Sequence, residues 1–471
     1  MKVKTRFAPS PTGELHFGNI RTALFSWLFA RKNSGKFILR FEDTDVNRNV
    51  LGSIEKIKKV MKWLGLNWDE KIYFQSKRLN YYYDIINFML KKKIAYKCYC
   101  SEEILYKKKI CQIKNHENTK YDGYCRNLKQ NNFNCKKPYV VRFKSPKNGV
   151  ISFEDAIRGL IKFKNKELDD FIIQRRNGIP TYNFCVVLDD LAMKITHVIR
   201  GEDHISNTPK QINILLSLNA HIPVYAHLPM LLDINKNKLS KKNFNTSIIK
   251  YFNEGFLPEA ILNYLVRLGW SHGNKEIFSI TEMKKLFSLE KVSKSSSIFD
   301  YKKLLWINKY YINNVSSKKI VFLLKYYMEK ENINIKNGPN VKEVLKIFKS
   351  RYFTLKEIAL SCRYLYEDIE DFKHLFLKKH YSKDSLKMLK IIYYSFKKII
   401  HWNSIEIWES INSISLNNNI SLKDIINFIR IIFTGKNNSP SISIIIYLIG
   451  KKRVLYNLIC LIKILRKKLI F

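Results

Sequence analysis

The stretch from residue 5 to residue 19, TRFAPSPTGELHFGN, constrains the fold more than any other part of the chain. It opens as a short strand, which prolines at positions 9 and 11 prevent from continuing. Apolar residues then recur with helical spacing from position 20 to position 28. A strand, a tight turn and a helix start bind anions, because backbone N–H groups and the helix dipole point at the ligand. The sequence therefore predicts a phosphate site near His16 and Gly18.

Two later strands end in charged clusters. Residues 36–41 read as a strand and lead into Glu42, Asp43 and Asp45, and the strand before residue 204 delivers Arg200 to its end. In a doubly wound sheet the carboxyl ends of the strands line the ligand crevice, so these side chains are placed to meet a substrate. Strands alternating with helices favour an α/β architecture with parallel pairing.

The charge of the chain favours a polyanionic partner. Lys and Arg outnumber Asp and Glu by 84 to 40, which gives a formal net charge of +44. Such a surplus favours nucleic acid, through neutralisation of phosphates. Heavy use of Lys, Asn and Ile is also the mark of an AT-rich genome, so the charge only supports this prediction.

The first residues and the cysteines predict the compartment. No apolar segment typical of a secretory signal precedes the first strand. The most apolar run near the C-terminus, residues 442–449, is much shorter than a membrane span. The eight cysteines lack the spacing of a disulfide framework. We expect a cytoplasmic protein with reduced thiols and no membrane contact.

A cluster of cysteines resembles a metal site. Cys98 and Cys100 face the same way if they lie on a strand, and Cys125 follows. A Cys-x-Cys pair with a distant third cysteine is typical of structural zinc. The expected fourth ligand is missing, because position 127 is Asn. The possible substitutes are Cys111, His116 and Cys135. Zinc binding and unligated thiols both remain open.

Beyond residue 250 the strands largely disappear. Residues 258–269 read as a helix with Pro at its start and Gly at its end, and helical segments follow to residue 471. One segment is predicted to have Ser439 as N-cap, Pro440 at its first position and Gly450 just past its end. A basic helical half is compatible with RNA binding, although it could equally be a plain scaffold.

Five stretches, taken together, resemble the bacterial class I glutamyl-tRNA synthetases. Residues 6–13 with 16–19 resemble that family's HIGH signature, and KLSKK at 238–242 resembles its KMSKS loop. The other family-like stretches are FEDTD at 41–45, VIRGEDH at 198–204 and LNYLVRLGWSHG at 262–273. The resemblance extends over essentially the whole chain.

The resemblance implies a Rossmann-like α/β catalytic core, an inserted α+β acceptor-binding domain and an all-α C-terminal anticodon-binding half. The implied ranges are 1–93 and 180–236 for the two halves of the core, 94–179 for the insertion, 237–314 for the KMSKS-type loop with a helical stem-contact domain, and 315–471 for the anticodon-binding region. The implied activity joins glutamate to tRNA(Glu) through glutamyl-adenylate, using ATP with Mg²⁺, and the protein is expected to be a monomer.

The family's site residues fall on matching positions of this chain. Those expected to bind ATP are His16, Gly18, Asn19, Lys238 and Lys241, of which His16, Lys238 and Lys241 would be catalytic. Those expected to bind glutamate are Arg6, Ser10, Glu42, Tyr182 and Arg200. The two arginines suit the carboxylates by their forked geometry, and Glu42 suits the ammonium group. The tentative metal ligands are Cys98, Cys100 and Cys125.

Three departures and three rivals qualify the resemblance. Asn19 stands where the family usually has Gly or His, Lys242 where Arg is usual, and Asn127 where a histidine would ligate zinc. A glutaminyl-tRNA synthetase is disfavoured by the helical C-terminal half. The shorter enzyme that glutamylates a tRNA queuosine base lacks such a half. A non-catalytic RNA-binding protein would lack a signature group, whereas all are present.

Overall fold

The computed structural model describes residues 2–116, 119–127, 137–239, 247–367 and 382–470. The chain divides into two compact units, one formed by Met1–Lys250 with Pro258–Leu304 and the other by Tyr251–Leu257 with Leu305–Phe471. Among the helices of these ranges, none is both long enough and apolar enough to cross a bilayer.

The first unit is an α/β structure. Its strands are β1 (Lys4–Phe7), β2 (Lys36–Phe41), β3 (Tyr73–Phe74), β4 (Ala95–Cys98), β5 (Val140–Phe143), β6 (Val150–Asp155), β7 (Gly159–Lys164), β8 (Ile172–Gln174), β9 (His197–Gly201), β10 (Val224–Leu228), β11 (Leu231–Leu232) and β12 (Ser297–Ile298). The helices up to residue 286 are α1 (Phe17–Lys32), α2 (Ser53–Trp63), α3 (Leu79–Lys91), α4 (Glu102–Lys114), α5 (Tyr182–Ala192), α6 (Thr208–Ser217), α7 (Ile248–Asn253), α8 (Pro258–Arg267) and α9 (Ile280–Leu286).

Parallel strands form the centre of this unit. One group has the order β1-β2-β3, and another has β10 between β9 and β6; the β1–β2, β2–β3, β9–β10 and β6–β10 pairs are all parallel. The two groups adjoin, since the N–H of Thr196 donates to the carbonyl of Lys4 at 2.9 Å and Arg6 reaches the carbonyl of Ile199. Because the residue numbers of both partners increase from the first contact to the second, β1 and β9 run in the same direction. Their carboxyl ends therefore open on one edge, where the strand order reverses.

The region between the two halves of the core has its own small sheet. Strands β4, β5 and β8 pair in antiparallel fashion, and helix α4 follows β4. The hairpin of β6 and β7 also falls within the predicted insertion of 94–179, yet β6 pairs with β10 of the central sheet at Asp155 and Tyr225. Sequence position alone did not reveal this long-range pairing.

Helix α1 is held by apolar contacts on nearly all sides. Leu24, Phe25 and Leu28 are fully buried, and complete burial of such a side chain contributes about 1.5–3 kcal/mol. The periodic stripe at positions 20, 23, 24, 27 and 28 is therefore the inner face of a buried helix, as predicted. Burial of this helix fixes the turn that precedes it.

The described part of the chain beyond residue 300, residues 301–367 and 382–470, is helical. Its α-helices are Tyr301–Asn314, Ser317–Lys330, Val341–Phe348, Leu355–Cys362, Lys383–Lys398, Ser404–Asn418, Leu422–Thr434, Ile442–Ile449 and Lys451–Ile470. The predicted cap at Ser439, with Pro440 at the first helical position, is wrong, because Ser441 is the N-cap and the helix begins at Ile442. The Ser439 hydroxyl instead accepts from Arg430 and donates to the carbonyl of Pro440. The predicted end at Gly450 is right.

Candidate active site

One cleft of about 590 Å³ opens at the carboxyl ends of the central strands. It brings together nine of the ten residues that sequence assigned to ATP and glutamate: Arg6, Ser10, His16, Gly18, Asn19, Glu42, Tyr182, Arg200 and Lys238. The tenth, Lys241, lies outside the described residues, as does Lys242. These nine come from five separate stretches of sequence, so the fold rather than local sequence assembles the cleft.

Two proline carbonyl groups in the turn after β1 accept backbone hydrogen bonds from later parts of the chain. The carbonyl of Pro9 accepts the N–H of Glu42 at 3.1 Å, and that of Pro11 accepts the N–H of Val50 at 2.9 Å. Gly13 has a φ of 137°, a conformation that side chains rarely adopt. The turn therefore holds Glu42 beside the end of β1.

His16 caps helix α1. Its Nδ1 accepts the backbone N–H of Gly18 at 3.1 Å. A neutral imidazole with an accepting Nδ1 carries its proton on Nε2, so His16 presents Nε2 as a donor. The histidine ring accepts the Gly18 N–H here, and the role of Gly18 at the ATP stays a prediction.

Asn19 and Gly18 hold the His16 ring in this position. The Oδ1 of Asn19 accepts the N–H of His16 at 3.2 Å, which completes a reciprocal capping box. A Cβ at Gly18 would lie 2.9 Å from Cε1 and 3.0 Å from Nδ1 of His16. The unusual Asn19 thus has a structural role at the helix start, and Gly18 leaves room for the ring.

The two ends of the lysine-rich loop flank the same cleft. Lys238, at its start, lies 3.5 Å from Oδ2 of Asp203 and is largely exposed. Ser247, at the other end of the loop, forms an antiparallel bridge with His16. The N–H of the next residue, Ile248, donates to the carbonyl of Leu15 at 3.1 Å. The chain therefore leaves one side of the cleft and returns beside the helix start.

Arg6 belongs to a buried ionic cluster. Its Nε lies 3.2 Å from Oδ1 of Asp190, and the same oxygen lies 2.8 Å from Nη1 of the fully buried Arg40. Arg40 also lies 3.7 Å from Asp189, whose carboxylate accepts from Gln75, Arg78 and Tyr82. Buried charges require partners of this kind. The cluster fixes the Arg6 guanidinium at the wall of the cleft.

Glu42 is the most buried of the acidic side chains that line the cleft. Its side chain is 8% exposed and lies 3.5 Å from Nη2 of Arg40. Burial raises the pKa of Glu42 to about 7, although Arg40 and Arg6 oppose that rise. A cationic ligand beside this buried carboxylate would lower its pKa, because a nearby positive charge favours the ionised form.

Arg200 has different neighbours from Arg6. Its Nε donates to Nε2 of His227 at 3.1 Å, its Nη1 to Gln211 at 2.8 Å and its Nη2 to Thr208 at 2.8 Å. Within the described part of the chain, none of the acceptors it contacts is a carboxylate. Arg200 therefore keeps its net positive charge at the wall of the cleft.

Tyr182 stands between the acidic and basic sides of the pocket. Its hydroxyl lies 3.3 Å from Nδ1 of His204. Burial, followed by the Glu42 carboxylate, raises the pKa of Tyr182 to about 12, and burial lowers that of His204 to about 4. Both groups are neutral at pH 7, so they contribute hydrogen bonds rather than charge.

The cysteine cluster forms away from this cleft. The sulfur atoms of Cys98, Cys100 and Cys125 lie within 4.8 Å of one another and are buried. The hydroxyl of Tyr121 lies 3.4 Å from Sγ of Cys98 and 3.8 Å from Sγ of Cys100. Of the substitutes named from sequence, Cys111 and His116 are exposed and lie outside the cluster, and Cys135 lies outside the described residues. Asn127, at the position of the missing ligand, is exposed.

Sequence reasoning missed the residues that hold the two arginines. Asp190 and His227 each contact one arginine of the pocket. The pair Asp189–Asp190 at the end of an apolar run was a usable signal, because two buried acids demand cations. His227 gave no such signal, since a single histidine on a strand is usually a satisfied core residue.

Comparison with known proteins agrees with this arrangement. The family model described as tRNA synthetases class I (E and Q), catalytic domain, matches residues 2–306, and one described as anticodon binding domain matches residues 319–459. The glutamate–tRNA ligase of Buchnera aphidicola subsp. Acyrthosiphon pisum is 54% identical over 455 residues, 97% of each chain. That of Wigglesworthia glossinidia brevipalpis is 52% identical over 472 residues, the full length of both.

A solved structure extends the likeness to three dimensions. The crystal structure of a glutamate tRNA ligase from Elizabethkingia meningosepticum, in complex with its amino acid, has a TM-score of 0.83 and 30% identity, covering 99% of this chain and 100% of that one. The predicted fold class is therefore confirmed. The chain belongs to the class I tRNA synthetases of the E and Q type.

Proposed function

We propose that this chain is a glutamate–tRNA ligase, which activates glutamate with ATP and transfers it to tRNA(Glu), releasing AMP and pyrophosphate. The observation that supports it best is that Arg6, Arg200 and Glu42, among the charged residues lining the cleft, all lie within electrostatic reach of Tyr182. Glutamate has two carboxylates and one ammonium, the complementary set of charges. Its full-length relatives are glutamate–tRNA ligases.

In the first step the α-carboxylate of glutamate attacks the α-phosphorus of ATP. A mixed anhydride forms and pyrophosphate leaves, so catalysis requires alignment and stabilisation of phosphate charge rather than an enzyme nucleophile. His16 donates from Nε2 to ATP at the start of α1, and Lys238 and Lys241 neutralise the departing phosphates. Gly18 and Asn19 hold the His16 ring. Mg²⁺, which would arrive with ATP, would supply further positive charge to stabilise the phosphates.

In the second step a ribose hydroxyl at the 3′ end of tRNA(Glu) attacks the carbonyl carbon, and AMP leaves. We assign the acceptor end to the inserted region 94–179, the stem to residues 237–314 and the anticodon arm to the helical region 315–471, with the catalytic core at 1–93 and 180–236. The surplus positive charge suits such a polyanion. The enzyme acts as a cytoplasmic monomer.

ATP–pyrophosphate exchange tests the assignment of the substrate. The purified chain, supplied with tRNA(Glu), is expected to incorporate labelled pyrophosphate into ATP when glutamate is present. Glutamine at the same concentration should give background exchange. Exchange with glutamine and none with glutamate would show that the pocket binds a side-chain amide rather than a carboxylate. The proposed substrate would then be wrong.

Ionisation of Glu42 should appear in the pH dependence of glutamate binding. Below its pKa of about 7 the side chain is neutral and cannot pair with the ammonium group. We expect kcat/KM for glutamate to rise with pH from 5.5 to 7, by at most about tenfold per pH unit, and then to level off. Glu42→Gln should be much less active and lack this limb. A limb of equal slope in Glu42→Gln would assign the titration to another group.

The cysteine cluster can hold a structural zinc ion. Tetrahedral thiolate sites have zinc–sulfur bonds of about 2.3 Å, which three sulfurs at the observed spacing can satisfy. The hydroxyl of Tyr121 is the nearest described group for a fourth position. We expect purified protein to contain about one zinc per chain, and Cys125→Ser to lose it. Metal analysis that finds no stoichiometric zinc in the unmodified protein would leave the thiols unligated.

A further inference from the structure

A chain of buried hydrogen bonds runs from the cleft into the central sheet. The Nε of Arg200, on β9, donates to Nε2 of His227, on β10, at 3.1 Å. On the other side of the ring, Nδ1 of His227 lies 2.6 Å from Oδ2 of Asp155, at the end of β6. His227 and Asp155 are both fully buried. Three neighbouring strands thus align three polar side chains behind the pocket.

The geometry fixes the tautomer of His227. Because Nε2 accepts from a guanidinium, which has only donors, the proton of the neutral ring is on Nδ1 and is donated to Asp155. Asp155 is held in turn by the N–H groups of Ile157 and Arg158, at 3.0 and 2.9 Å, and by that of His227. The Asp155 carboxylate therefore fixes the orientation of the His227 ring, and the ring fixes the orientation of the Arg200 guanidinium.

This arrangement leaves Arg200 with more available charge than Arg6. Arg6 touches the Asp190 carboxylate directly, whereas a neutral ring separates Arg200 from Asp155. A carboxylate in direct contact would neutralise the guanidinium and compete with a bound carboxylate. An imidazole orients the group and takes none of its charge.

We propose that His227, set by Asp155, is a positioning residue that orients Arg200 and preserves its positive charge for a carboxylate of the amino-acid substrate. The proposal rests on the proposed function. It assigns His227 an effect on glutamate binding and none on ATP, since the ring bonds Arg200 directly and its other contact toward the cleft, the Thr208 hydroxyl at 3.2 Å, leads to His204 rather than to the start of α1.

The alternative is a histidine that only packs the sheet. His227 does pack, since its ring is parallel to that of Tyr225 within 7° at 6.0 Å and lies 6.3 Å from Phe153. Those contacts need only a flat ring, which phenylalanine also supplies. His227→Phe therefore keeps the packing and removes the acceptor, and His227→Gln keeps an acceptor that can reach Arg200.

The test is steady-state aminoacylation of tRNA(Glu) by the full chain. In His227→Phe we expect KM for glutamate to rise by about tenfold or more, because a buried donor loses its acceptor. KM for ATP and kcat should change by less than about threefold, as expected when uniform binding is lost. His227→Gln should recover most of the loss. The matched control is His197→Phe, a histidine of β9 that packs against Phe29 and bonds Thr196, and it should leave KM unchanged.

The outcomes separate the two hypotheses. If His227→Phe has the glutamate KM of the unmodified protein, or if kcat falls with no change in KM, the positioning role is refuted. If His227→Phe does not fold, His227→Met, which also lacks a strong acceptor, must show the same increase in KM relative to His227→Gln, and equal values for the two would refute the role. Failure of the unmodified protein to charge tRNA with glutamate would instead refute the proposed function.

Discussion

Replacing Arg200 with methionine is expected to lower kcat/KM for glutamate by roughly a thousandfold, which corresponds to about 4 kcal/mol of binding to the transition state. The size of the effect follows from charge. The described hydrogen bonds of Arg200 all go to uncharged acceptors, whereas Arg6 contacts a carboxylate. A neutral side chain there would leave a substrate carboxylate buried without its cation, and Arg6 already shares its charge with Asp190.

The control for this variant is Arg31→Met. Arg31 lies on α1 of the same unit and pairs with Asp69 at 2.7 Å on a partly exposed surface. Exposed pairs of this kind contribute little, so activity should stay within about twofold of the unmodified protein. Equal losses in the two variants would indicate a general effect of arginine removal. If the Arg200→Met enzyme had a normal KM for glutamate, Arg200 would not be a glutamate-binding residue.

Replacing Gly18 with alanine is expected to reduce the rate of ATP–pyrophosphate exchange by roughly a hundredfold, the cost of losing one well-placed donor to developing phosphate charge. The added Cβ would lie 2.9 Å from Cε1 of His16, so the ring must leave its cap. The helix should persist, because alanine is the best helix former. The loss is therefore expected in catalysis rather than in folding, and circular dichroism checks the fold.

A double-mutant cycle tests whether Gly18 acts through His16. His16→Ala and Gly18→Ala should cost similar amounts, and the double variant should be little worse than either alone. The matched control is Asn33→Ala at the far end of the same helix, where the side chain bonds the carbonyl of Phe29 at 2.8 Å. Additive losses in the double variant would show that Gly18 has a role independent of the histidine ring.

The turn at residues 5–19 could be predicted because its physics is local. Prolines at 9 and 11 end the strand, and apolar spacing from residue 20 defines the helix. The parallel pairing of β1 with β2 also followed, since a strand–helix–strand unit has little choice of topology. The fold class followed from the same reasoning combined with the signature stretches.

The parts that sequence did not predict depend on distant partners. Asp155 and His227 are 72 residues apart, and no local pattern shows that β6 lies beside β10. The use of the Gly18 N–H by His16 depends on a side-chain rotation that spacing does not specify. The cap lies at Ser441 rather than at Ser439, whose hydroxyl accepts from Arg430, a residue nine positions earlier.

The departures from the family pattern differ in their consequences. The Oδ1 of Asn19 completes the capping box of α1, which gives this side chain a structural role. Asn127 is exposed, whereas the three cysteines are buried. The hydroxyl of Tyr121, which sequence reasoning did not single out, lies beside two of the three thiols.

The most direct test of this account is aminoacylation with purified components. Full-length protein, ATP, Mg²⁺ and tRNA(Glu) are incubated with either labelled glutamate or labelled glutamine, and labelled tRNA is counted. The account predicts rapid formation of glutamyl-tRNA with release of AMP, and no glutaminyl-tRNA above background. Protein that binds tRNA(Glu) but charges it with neither amino acid, or that charges it with glutamine alone, would contradict the account.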